Sequence, residues 1–417
     1  MNALLRFTIE NFRSFSERKS LVLINKLESA TESSKIIYNK VCALYGANSS
    51  GKSNLIDGFS QMLYIIINSV KVNDDDELAF DPFLLNDRKN SPTSYEIEFI
   101  LDDIQYRYGF SNTSEKIISE WLFIIEENEK ETPLFIRNED GIGVNEKAFQ
   151  EGIDMEERTN DNRLFLSLVA QLGGNLSKSV ITYISKSLNT ISGLDTEGYQ
   201  MFSKKMLRED SDVAKSMKEF FISTKLGFSD VTTQILDFDV NAIPSDVPEE
   251  LKKRLITDLK GKKSLGLFST HGFYNSEGVR IKDLTFKFSK MESQGTQKLF
   301  EISGPIFDTL LKGSVIFIDE LDAKMHPLMS QEIVRLFAEE KSNPNGAQLI
   351  FTTHDTNLLS SKLLSNNQVW FTEKDDQERS DLYCLNEIKF LDGSKFVGND
   401  NIEHNYIQGR YGAIPYL

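Results

Sequence analysis

The chain has 417 residues, 40% of them hydrophobic, which is enough for two or three domains with substantial cores. A net charge of −16 argues against a broad, sequence-independent grip on nucleic acid, although a local basic patch could still bind it. Two distant cysteines, Cys42 and Cys384, exclude a disulfide framework, and no apolar run approaches the roughly 18 to 20 residues of a membrane span. Because a signal-peptide pattern is also lacking, we expect a soluble, cytoplasmic protein.

The first part of the chain, residues 1–148, has the pattern of a β-rich lobe that also carries one strand–helix unit. Apolar residues alternate in residues 5–15 and recur in residues 21–24. The short apolar run VCALYG stops at a glycine, and NLIDGFSQMLYIIINSV after it has helical spacing. Residues 94–112 alternate on both sides of Asp102-Asp103, which predicts a hairpin, and the β pattern continues to about residue 145.

The pattern favours helices over residues 149–262 and mixes strands with helices over residues 263–417. In the middle segment NRLFLSLVAQL, KSVITYISKSL and VAKSMKEFFISTKLG have helical spacing. Two strands, SLGLFSTHGF and IKDLTFKFSKM, open the last segment. The apolar runs SVIFIDE, AQLIFTTHD and QVWFTEK then alternate with helical stretches, as in a parallel sheet with crossover helices. We therefore predict an α/β fold in three parts: a head whose two halves are residues 1–148 and 263–417, and a mainly helical insertion, residues 149–262.

A phosphate-binding loop is predicted between the first buried strand and its helix. The segment GANSSGKS matches the pattern G-x-x-x-x-G-K-[ST] in the strand–helix context that this pattern requires, which argues against a chance match in a turn. Its glycines allow successive backbone N–H groups to point at phosphate oxygens, and the following helix adds its positive N-terminal end. Lys52 can reach the β- and γ-phosphates, and Ser53 can ligate Mg²⁺. The predicted nucleotide-binding residues are Gly46, Ala47, Asn48, Ser49, Ser50, Gly51, Lys52 and Ser53.

Two carboxylates and a histidine are predicted at the same edge of the sheet. SVIFIDE places Asp319 and Glu320 at the carboxyl end of a buried strand, where ligands gather in doubly wound sheets. Asp319 would hold the Mg²⁺ shell, directly or through water, and Glu320 would act as the general base that activates water. A helix cap is the alternative interpretation of this pair. AQLIFTTHD delivers His354 to the same edge, where it could sense a γ-phosphate.

The segment ESQGTQ has no obvious place around a nucleotide that Lys52 and the acid pair already hold. A hydroxyl from Ser293, the Gly295 N–H and the start of a helix near Gln297 would form an anion site without a positive side chain. If this site binds the γ-phosphate of a second copy, two chains enclose two ATP molecules head to tail. The alternative is an ordinary loop with a helix cap.

The order of these segments resembles that of the ABC-type ATPase superfamily, in its soluble SMC/RecF-like branch. Within that branch the chain is most similar to bacterial AAA-family ATPases of the abortive-infection and OLD-like group. Four further segments carry that similarity: IENFRSF near the start, DPFLL, DELDAKMHP and the terminal GRYGAIPYL. The terminal segment either frays or docks, on its own head or on a partner.

The resemblance assigns roles to individual residues. It implies that GANSSGKS is the Walker A loop, that SQGT is the ABC signature, and that Val315–Glu320 is Walker B. It also implies that Asp322 belongs to the D-loop, that His354 is the switch histidine, that Arg13 contacts nucleotide and that Asn48 helps to orient it. The signature departs from the SGGQ of transporters, which makes the contact in trans less certain than the phosphate loop. The Q-loop glutamine has no clear counterpart, and Gln105 is a candidate only because it lies in the β-rich lobe.

Together these predictions describe an ATPase that binds Mg²⁺ and ATP, associates with itself as an ATP-sandwich homodimer or higher oligomer, and hydrolyses ATP slowly as a conformational switch. By resemblance its setting is defence against phage, with a phage-derived trigger and a separate toxic effector such as a nuclease. One alternative is an SMC/RecF-like DNA-repair ATPase that clamps duplex DNA, which needs a basic groove. The other is a module that holds ATP as a structural ligand and scaffolds an effector.

Overall fold

The computed structural model describes residues 2–24, 37–126, 129–237, 247–259, 263–388 and 401–414. The chain forms two compact units. The first contains Met1–Leu194, Thr309–Ala323 and Ile333–Leu417, and the second contains Asp195–Asp308 and Lys324–Glu332. The predicted fold class, α/β with a phosphate loop, is confirmed by the elements described below.

The strands, in chain order, are β1 (Ala3–Glu10), β2 (Lys19–Val22), β3 (Val41–Gly46), β4 (Thr93–Leu101), β5 (Ile104–Asn112), β6 (Ile117–Ile125), β7 (Glu131–Asn138), β8 (Gly141–Val144), β9 (Leu188–Ser192), β10 (Asp230–Asp237), β11 (Lys263–Tyr274), β12 (Arg280–Lys287), β13 (Val315–Asp319), β14 (Gln348–Thr352), β15 (Val369–Lys374) and β16 (Ser380–Cys384). The helices are α1 (Lys52–Asn68), α2 (Phe165–Gln171), α3 (Asn175–Ser187), α4 (Glu197–Arg208), α5 (Asp212–Ser223), α6 (Glu249–Leu259), α7 (Phe288–Met291), α8 (Gln294–Lys312), α9 (Pro327–Ala338), α10 (Asn357–Ser360) and α11 (Ile402–Ile407).

The β-rich lobe of the first unit is a seven-stranded sheet with the order β2-β1-β4-β5-β6-β7-β8, and each neighbouring pair is antiparallel. The predicted hairpin is confirmed, because β4 and β5 meet at Asp102 and Asp103, which have φ angles of 51° and 65°. Two left-handed residues give the turn a twist that matches its strands.

The site-bearing sheet of the first unit has the order β16-β15-β3-β14-β13-β9. Strands β15, β3, β14, β13 and β9 run parallel, and β16 pairs antiparallel with β15. Helix α1 packs on this sheet through Phe59, whose ring stacks on Phe317 of β13 at 4.0 Å and meets Phe7 of β1 edge-on at 5.0 Å. The parallel strands therefore deliver the residues that follow β3, β13 and β14 to one edge.

The expected insertion, residues 149–262, is divided between the two units. Its first helices, α2 and α3, and the strand β9 belong to the first unit, and the remainder belongs to the second. Strand β9 was not predicted, because its sequence LNTIS lacks both an apolar run and strict alternation. It nevertheless pairs with β13 from Leu188 to Ser192, since pairing inside a sheet outweighs local pattern.

The second unit contains α4, α5, the antiparallel sheet β10-β11-β12, and most of α8. Its core is aromatic: Phe221 lies 5.8 Å from Phe300 of α8, and Phe228 lies 5.9 Å from Phe288 of α7. The predicted strands of this region are confirmed as β11 and β12. Helix α8 begins at Gln294, three residues earlier than expected, so Gly295 lies in its first turn.

The C-terminal segment, residues 401–414, packs against β15 and β16 within the first unit. The carbonyl oxygen of Tyr411 accepts a hydrogen bond of 2.7 Å from the Tyr383 hydroxyl of β16, and Tyr411 is buried. The described part of GRYGAIPYL is therefore packed on the chain's own head and does not fray, and residues 415–417 lie outside the described residues.

Among the helices that the structure describes, none has the length and apolarity to cross a lipid bilayer.

Candidate functional site

The phosphate loop connects the buried strand β3 to helix α1. A Cβ atom at Gly46 would lie 2.5 Å from Ser50 Oγ and 2.6 Å from Thr372 Oγ1, so the tight curl leaves no room for a side chain. Gly51 has a φ of 118°, which L-residues rarely adopt, and a Cβ there would lie 2.9 Å from the Cβ of Ser380. Ser49 is also left-handed, at 63°. The loop therefore has the backbone shape that a phosphate cradle needs.

Lys52 folds over this loop. Its Nζ donates to the carbonyl oxygens of Gly46 at 2.7 Å and Ala47 at 3.0 Å. Burial lowers the Lys52 pKa, and the nearby carboxylates of Asp319, Glu320 and Asp322 oppose that shift. A partly desolvated ammonium beside this glycine-bearing loop is suited to a phosphate oxygen.

Three residues outside the motif support the loop from below. Ser380 Oγ lies 2.7 Å from the Ser50 carbonyl oxygen, to which it donates, and 2.7 Å from Ser14 Oγ. Thr372 Oγ1 lies 2.6 Å from Ser50 Oγ. Sequence reasoning missed these supports because Thr372 and Ser380 reach the loop through strand pairing, and Ser14 reaches it through its hydrogen bonds with Ser380. By contrast, Asn48 and Ser53 are exposed on the open side of the loop.

The acid pair lies at the end of β13, next to β14. The Thr352 hydroxyl donates to Asp319 Oδ1 at 2.6 Å and accepts the Glu320 backbone N–H at 2.7 Å. The Leu321 N–H donates to the Thr352 carbonyl oxygen at 3.1 Å. Thr352 lies within the predicted strand AQLIFTTHD, but sequence reasoning assigned it no role. It fixes both the carboxylate of Asp319 and the direction of the chain at Glu320.

The backbone bends sharply at Glu320, which has a φ of 52°, a left-handed conformation that is uncommon outside glycine. Such strain persists where the surrounding contacts determine it and is concentrated at functional sites. Gly193, directly after β9, supplies one of those contacts by donating its N–H to the Asp319 carbonyl oxygen at 2.6 Å. A Cβ at Gly193 would come within 3 Å of the carbonyl oxygens of Asp319 and Glu320, so this close approach requires glycine.

His354 and Asp322 meet at the same edge. The backbone N–H of His354 donates to Asp322 Oδ2 at 3.2 Å. The other oxygen, Asp322 Oδ1, is buried and has no hydrogen-bond partner among the described residues. Burial, followed by the charge of Lys52, lowers the His354 pKa, and the three carboxylates of this edge act in the opposite direction. The imidazole is therefore neutral at pH 7 and can donate one N–H to an anion.

The residues of the signature-like segment lie in the second unit. Ser293 Oγ accepts the Thr296 N–H at 3.2 Å and lies 3.0 Å from Thr296 Oγ1, so it caps α8 in the single chain. A Cβ at Gly295 would lie 2.7 Å from the Lys324 carbonyl oxygen. Ser293 therefore forms a helix cap within the single chain, and the contact in trans stays a prediction.

Two further predicted residues have partners within the first unit. The Arg13 guanidinium contacts Asp57 and lies 3.7 Å from Asp81, so a nucleotide contact by Arg13 stays a prediction. Gln105 lies on β5 and donates to Glu98 Oε1 at 2.7 Å. Its assignment to a Q-loop likewise stays a prediction.

The donor set of the first unit fits a magnesium–triphosphate group. Ser53 Oγ is exposed beside the loop, Asp319 has one oxygen without the Thr352 contact, and the buried Asp322 Oδ1 lacks a partner. Among the described residues, no three acidic, cysteine or histidine side chains converge to hold a metal by themselves. Mg²⁺ is commonly bound by one or two protein oxygens, substrate phosphates and water, and it would neutralise phosphate charge here.

Comparison with solved structures finds distant similarities. They include the SMC head domain from Thermotoga maritima, at 15% identity and a TM-score of 0.42, covering 91% of this chain and 98% of that one. The SMC head domain from Pyrococcus furiosus bound to the C-terminal domain of ScpA has 12% identity and a TM-score of 0.41, covering 92% and 96%. The recombination mediator protein RecF has 13% identity and a TM-score of 0.34, covering 91% and 98%.

No curated protein sequence is significantly similar to this chain. A family model, however, matches residues 41–360, which is well over half of the chain and contains the phosphate loop, the acid pair and His354. The chain therefore belongs to the family described as "AAA domain, putative AbiEii toxin, Type IV TA system".

Proposed function

We propose that this protein binds ATP with Mg²⁺ and hydrolyses it as a conformational switch. The observation that carries the proposal is the pair of hydrogen bonds made by the Thr352 hydroxyl, one to Asp319 Oδ1 and one to the Glu320 backbone N–H. Thr352 lies at the end of β14, the strand that leads to His354. Strand β14, which carries Thr352, lies between β3 and β13, so the phosphate loop and the acid pair open at one edge.

In this proposal each residue has a separate role. The loop N–H groups and Lys52 bind the triphosphate, and Ser53 and Asp319 hold the metal. Glu320 orients and deprotonates the attacking water, and the neutral imidazole of His354 donates an N–H to the γ-phosphate. The left-handed turn at Glu320 and the contact from Gly193 direct the base, which supports hydrolysis over passive binding.

We further propose that two chains associate through their nucleotides and that Ser293 and Gly295 of one chain contact the γ-phosphate bound to the other. The cap at Ser293 leaves the N-terminal turn of α8 with a positive end, which suits an anion. Because the contact depends on ATP, hydrolysis would release the two chains and reset the switch.

The proposed setting is the bacterial cytoplasm, in defence against phage. The family description names a toxin of a type IV toxin–antitoxin system, which supports a role in controlling toxicity. We infer that an ATP-dependent change of assembly responds to a phage-derived trigger and controls a separate effector, such as a nuclease.

Phosphate release by the purified chain tests the enzymatic part. The expected result is Mg²⁺-dependent release that Lys52→Ala and Glu320→Gln abolish, while Glu320→Gln still binds ATP. Binding without release in the unsubstituted chain would instead favour ATP as a structural ligand.

Light scattering of Glu320→Gln, with and without Mg-ATP, tests the association. Removal of the base should trap ATP, so we expect an ATP-dependent doubling of mass that adding Ser293→Arg abolishes. Ser289→Arg is the matched control, because Ser289 is an exposed serine on α7 in the same unit. A mass that does not respond to ATP, or that both arginine substitutions change equally, would contradict a signature contact in trans.

A further inference from the structure

The C-terminal segment, residues 401–414, touches both sides of the candidate site. On one side, Thr356 Oγ1 donates to Glu403 Oε1 at 3.0 Å, two residues after His354. On the other side, the Tyr406 ring packs edge-on against Tyr45 of β3, which directly precedes Gly46, the first residue of the phosphate loop. One short helix, α11, therefore contacts the loop that carries His354 and the strand that leads into the phosphate loop.

These contacts belong to a buried network. The Tyr45 hydroxyl donates to the Asp355 carbonyl oxygen at 3.0 Å, which links β3 directly to the residue after His354. Tyr406 packs edge-on against Tyr45 at 5.6 Å and stacks on Phe371 of β15 at 5.5 Å. Tyr45 is fully buried and Tyr406 nearly so. Since buried hydrogen bonds and packed rings allow little displacement, the two loops are held in one arrangement.

The segment is itself anchored away from the site. The Tyr406 hydroxyl donates to the Ala413 carbonyl oxygen at 3.2 Å, and Asn405 Nδ2 donates to the Tyr411 hydroxyl at 3.1 Å. A Cβ at Gly412 would lie 2.5 Å from Glu373 Oε2 of β15, so the chain passes close to that strand. The segment is therefore held in place by hydrogen bonds within itself and by contacts with β15 and β16.

We propose that Glu403 and Tyr406 are positioning residues for ATP hydrolysis. They hold the His354 loop in a fixed position relative to the phosphate loop. This inference rests on the proposed function. Neither side chain needs to touch nucleotide. Glu403 acts through Thr356, and Tyr406 acts through Tyr45. The displacement of this segment by a partner would uncouple His354 from the phosphate loop and slow hydrolysis without releasing ATP.

Steady-state kinetics of Glu403→Ala and Thr356→Val test the inference. Each should lower kcat by about tenfold or more, because small misplacements of a catalytic group are costly, and change KM by less than about twofold. Glu403→Gln keeps a carbonyl oxygen that can accept from Thr356 and should retain most activity. The double variant should be no worse than either single one, since both remove the same contact.

His404→Ala is the control, because His404 is an exposed neighbour on the same helix. The inference is overturned if Glu403→Ala leaves kcat unchanged, if KM and thermal stability change together with kcat, or if the two losses add.

Hydrogen exchange separates this inference from the proposed function. If the unsubstituted chain shows no Lys52-dependent phosphate release, the proposed function fails, and exchange at residues 353–357 still reports the positioning contact. We expect faster exchange there in Glu403→Ala than in Glu403→Gln or His404→Ala. Equal exchange in all three would overturn the positioning role irrespective of hydrolysis.

Discussion

The hydroxyl of Thr352 is 2.6 Å from Asp319 Oδ1, to which it donates, and the same hydroxyl accepts the N–H of the next residue, Glu320. One side chain on β14 thus fixes the proposed metal ligand and the proposed base on β13. The loss of such an outer contact to a metal ligand typically costs about 10- to 100-fold in metal affinity or activity. The site is built by pairing between neighbouring strands as much as by the motif residues.

Thr352→Val removes this contact while keeping side-chain shape and burial. We expect phosphate release to fall by about 10- to 100-fold, with ATP affinity retained, because the phosphate loop is unchanged. Thermal stability should also fall, since the hydrogen bond to the partly buried Glu320 N–H is lost and such a bond contributes about 0.5–1.5 kcal/mol. Thr352→Ser, which keeps the hydroxyl, is the control. Equal activity of the valine and serine variants would contradict the role assigned to this hydroxyl.

Gly193→Ala should distort the backbone turn at Glu320, because Gly193 follows β9 and approaches that turn from the side opposite β14. The added methyl group would come within 3 Å of two backbone carbonyl oxygens, and overpacking of this kind costs about 1–3 kcal/mol. We expect a lower midpoint in thermal unfolding and slower phosphate release.

Gly198→Ala is the matched control for this substitution. A Cβ at Gly198 meets no atom within 4 Å, and alanine in helix α4 should be neutral or stabilising by up to about 1 kcal/mol. Equal stability losses in the two variants would contradict the steric argument for Gly193.

Local pattern predicted the elements of the site, and pairing between strands supplied the rest. Apolar runs that end in polar residues correctly indicated β3, β13 and β14, because a strand buried on both faces needs a continuous apolar sequence. Gly193 could not be found in this way. Its importance depends on β9 lying beside β13, and the sequence LNTIS does not indicate such a partner.

The same limit applies to the supports of the phosphate loop. Thr372 and Ser380 act because β15 lies beside β3 and β16 folds back on β15. Their roles depend on sheet order, which hydrophobic periodicity does not specify. The contact of Tyr406 with Tyr45 is more remote still, since it joins residues that are 361 positions apart in the numbering.

The titration of His354 offers a test of the electrostatics of the site. Burial and the neighbouring Lys52 cation both favour the neutral imidazole, so its pKa should lie below the ordinary value of about 6.5. NMR titration of the histidine ring protons, with His354→Gln to assign the signal, measures this directly. In Lys52→Met the pKa should rise, because one repelling charge is lost while burial stays. An unchanged midpoint would show that Lys52 and His354 do not share one site.

Glu120 on β6 is a buried carboxyl outside the site that should make stability depend on pH. It accepts hydrogen bonds from the Phe165 N–H at 2.6 Å, the Leu166 N–H at 3.1 Å and the Tyr108 hydroxyl at 3.0 Å. Burial raises its pKa to about 7, although these donors and Arg137 oppose the shift. Because the pKa is higher in the folded than in the unfolded chain, the folded state binds more protons between pH 4.5 and 7.

The contribution of Glu120 to stability is therefore complete below about pH 4.5 and is lost as the pH rises through 7, an effect of about 3 kcal/mol at 1.36 kcal/mol per pKa unit. Chemical unfolding at pH 5 and pH 7.5 should show a smaller change in the free energy of unfolding for Glu120→Gln than for the unsubstituted chain. The other acidic residues titrate in both proteins, so the difference isolates Glu120. Glu139→Gln, at an exposed turn of the same sheet, should keep the full dependence. Equal pH dependence in all three would show that Glu120 stays ionised throughout.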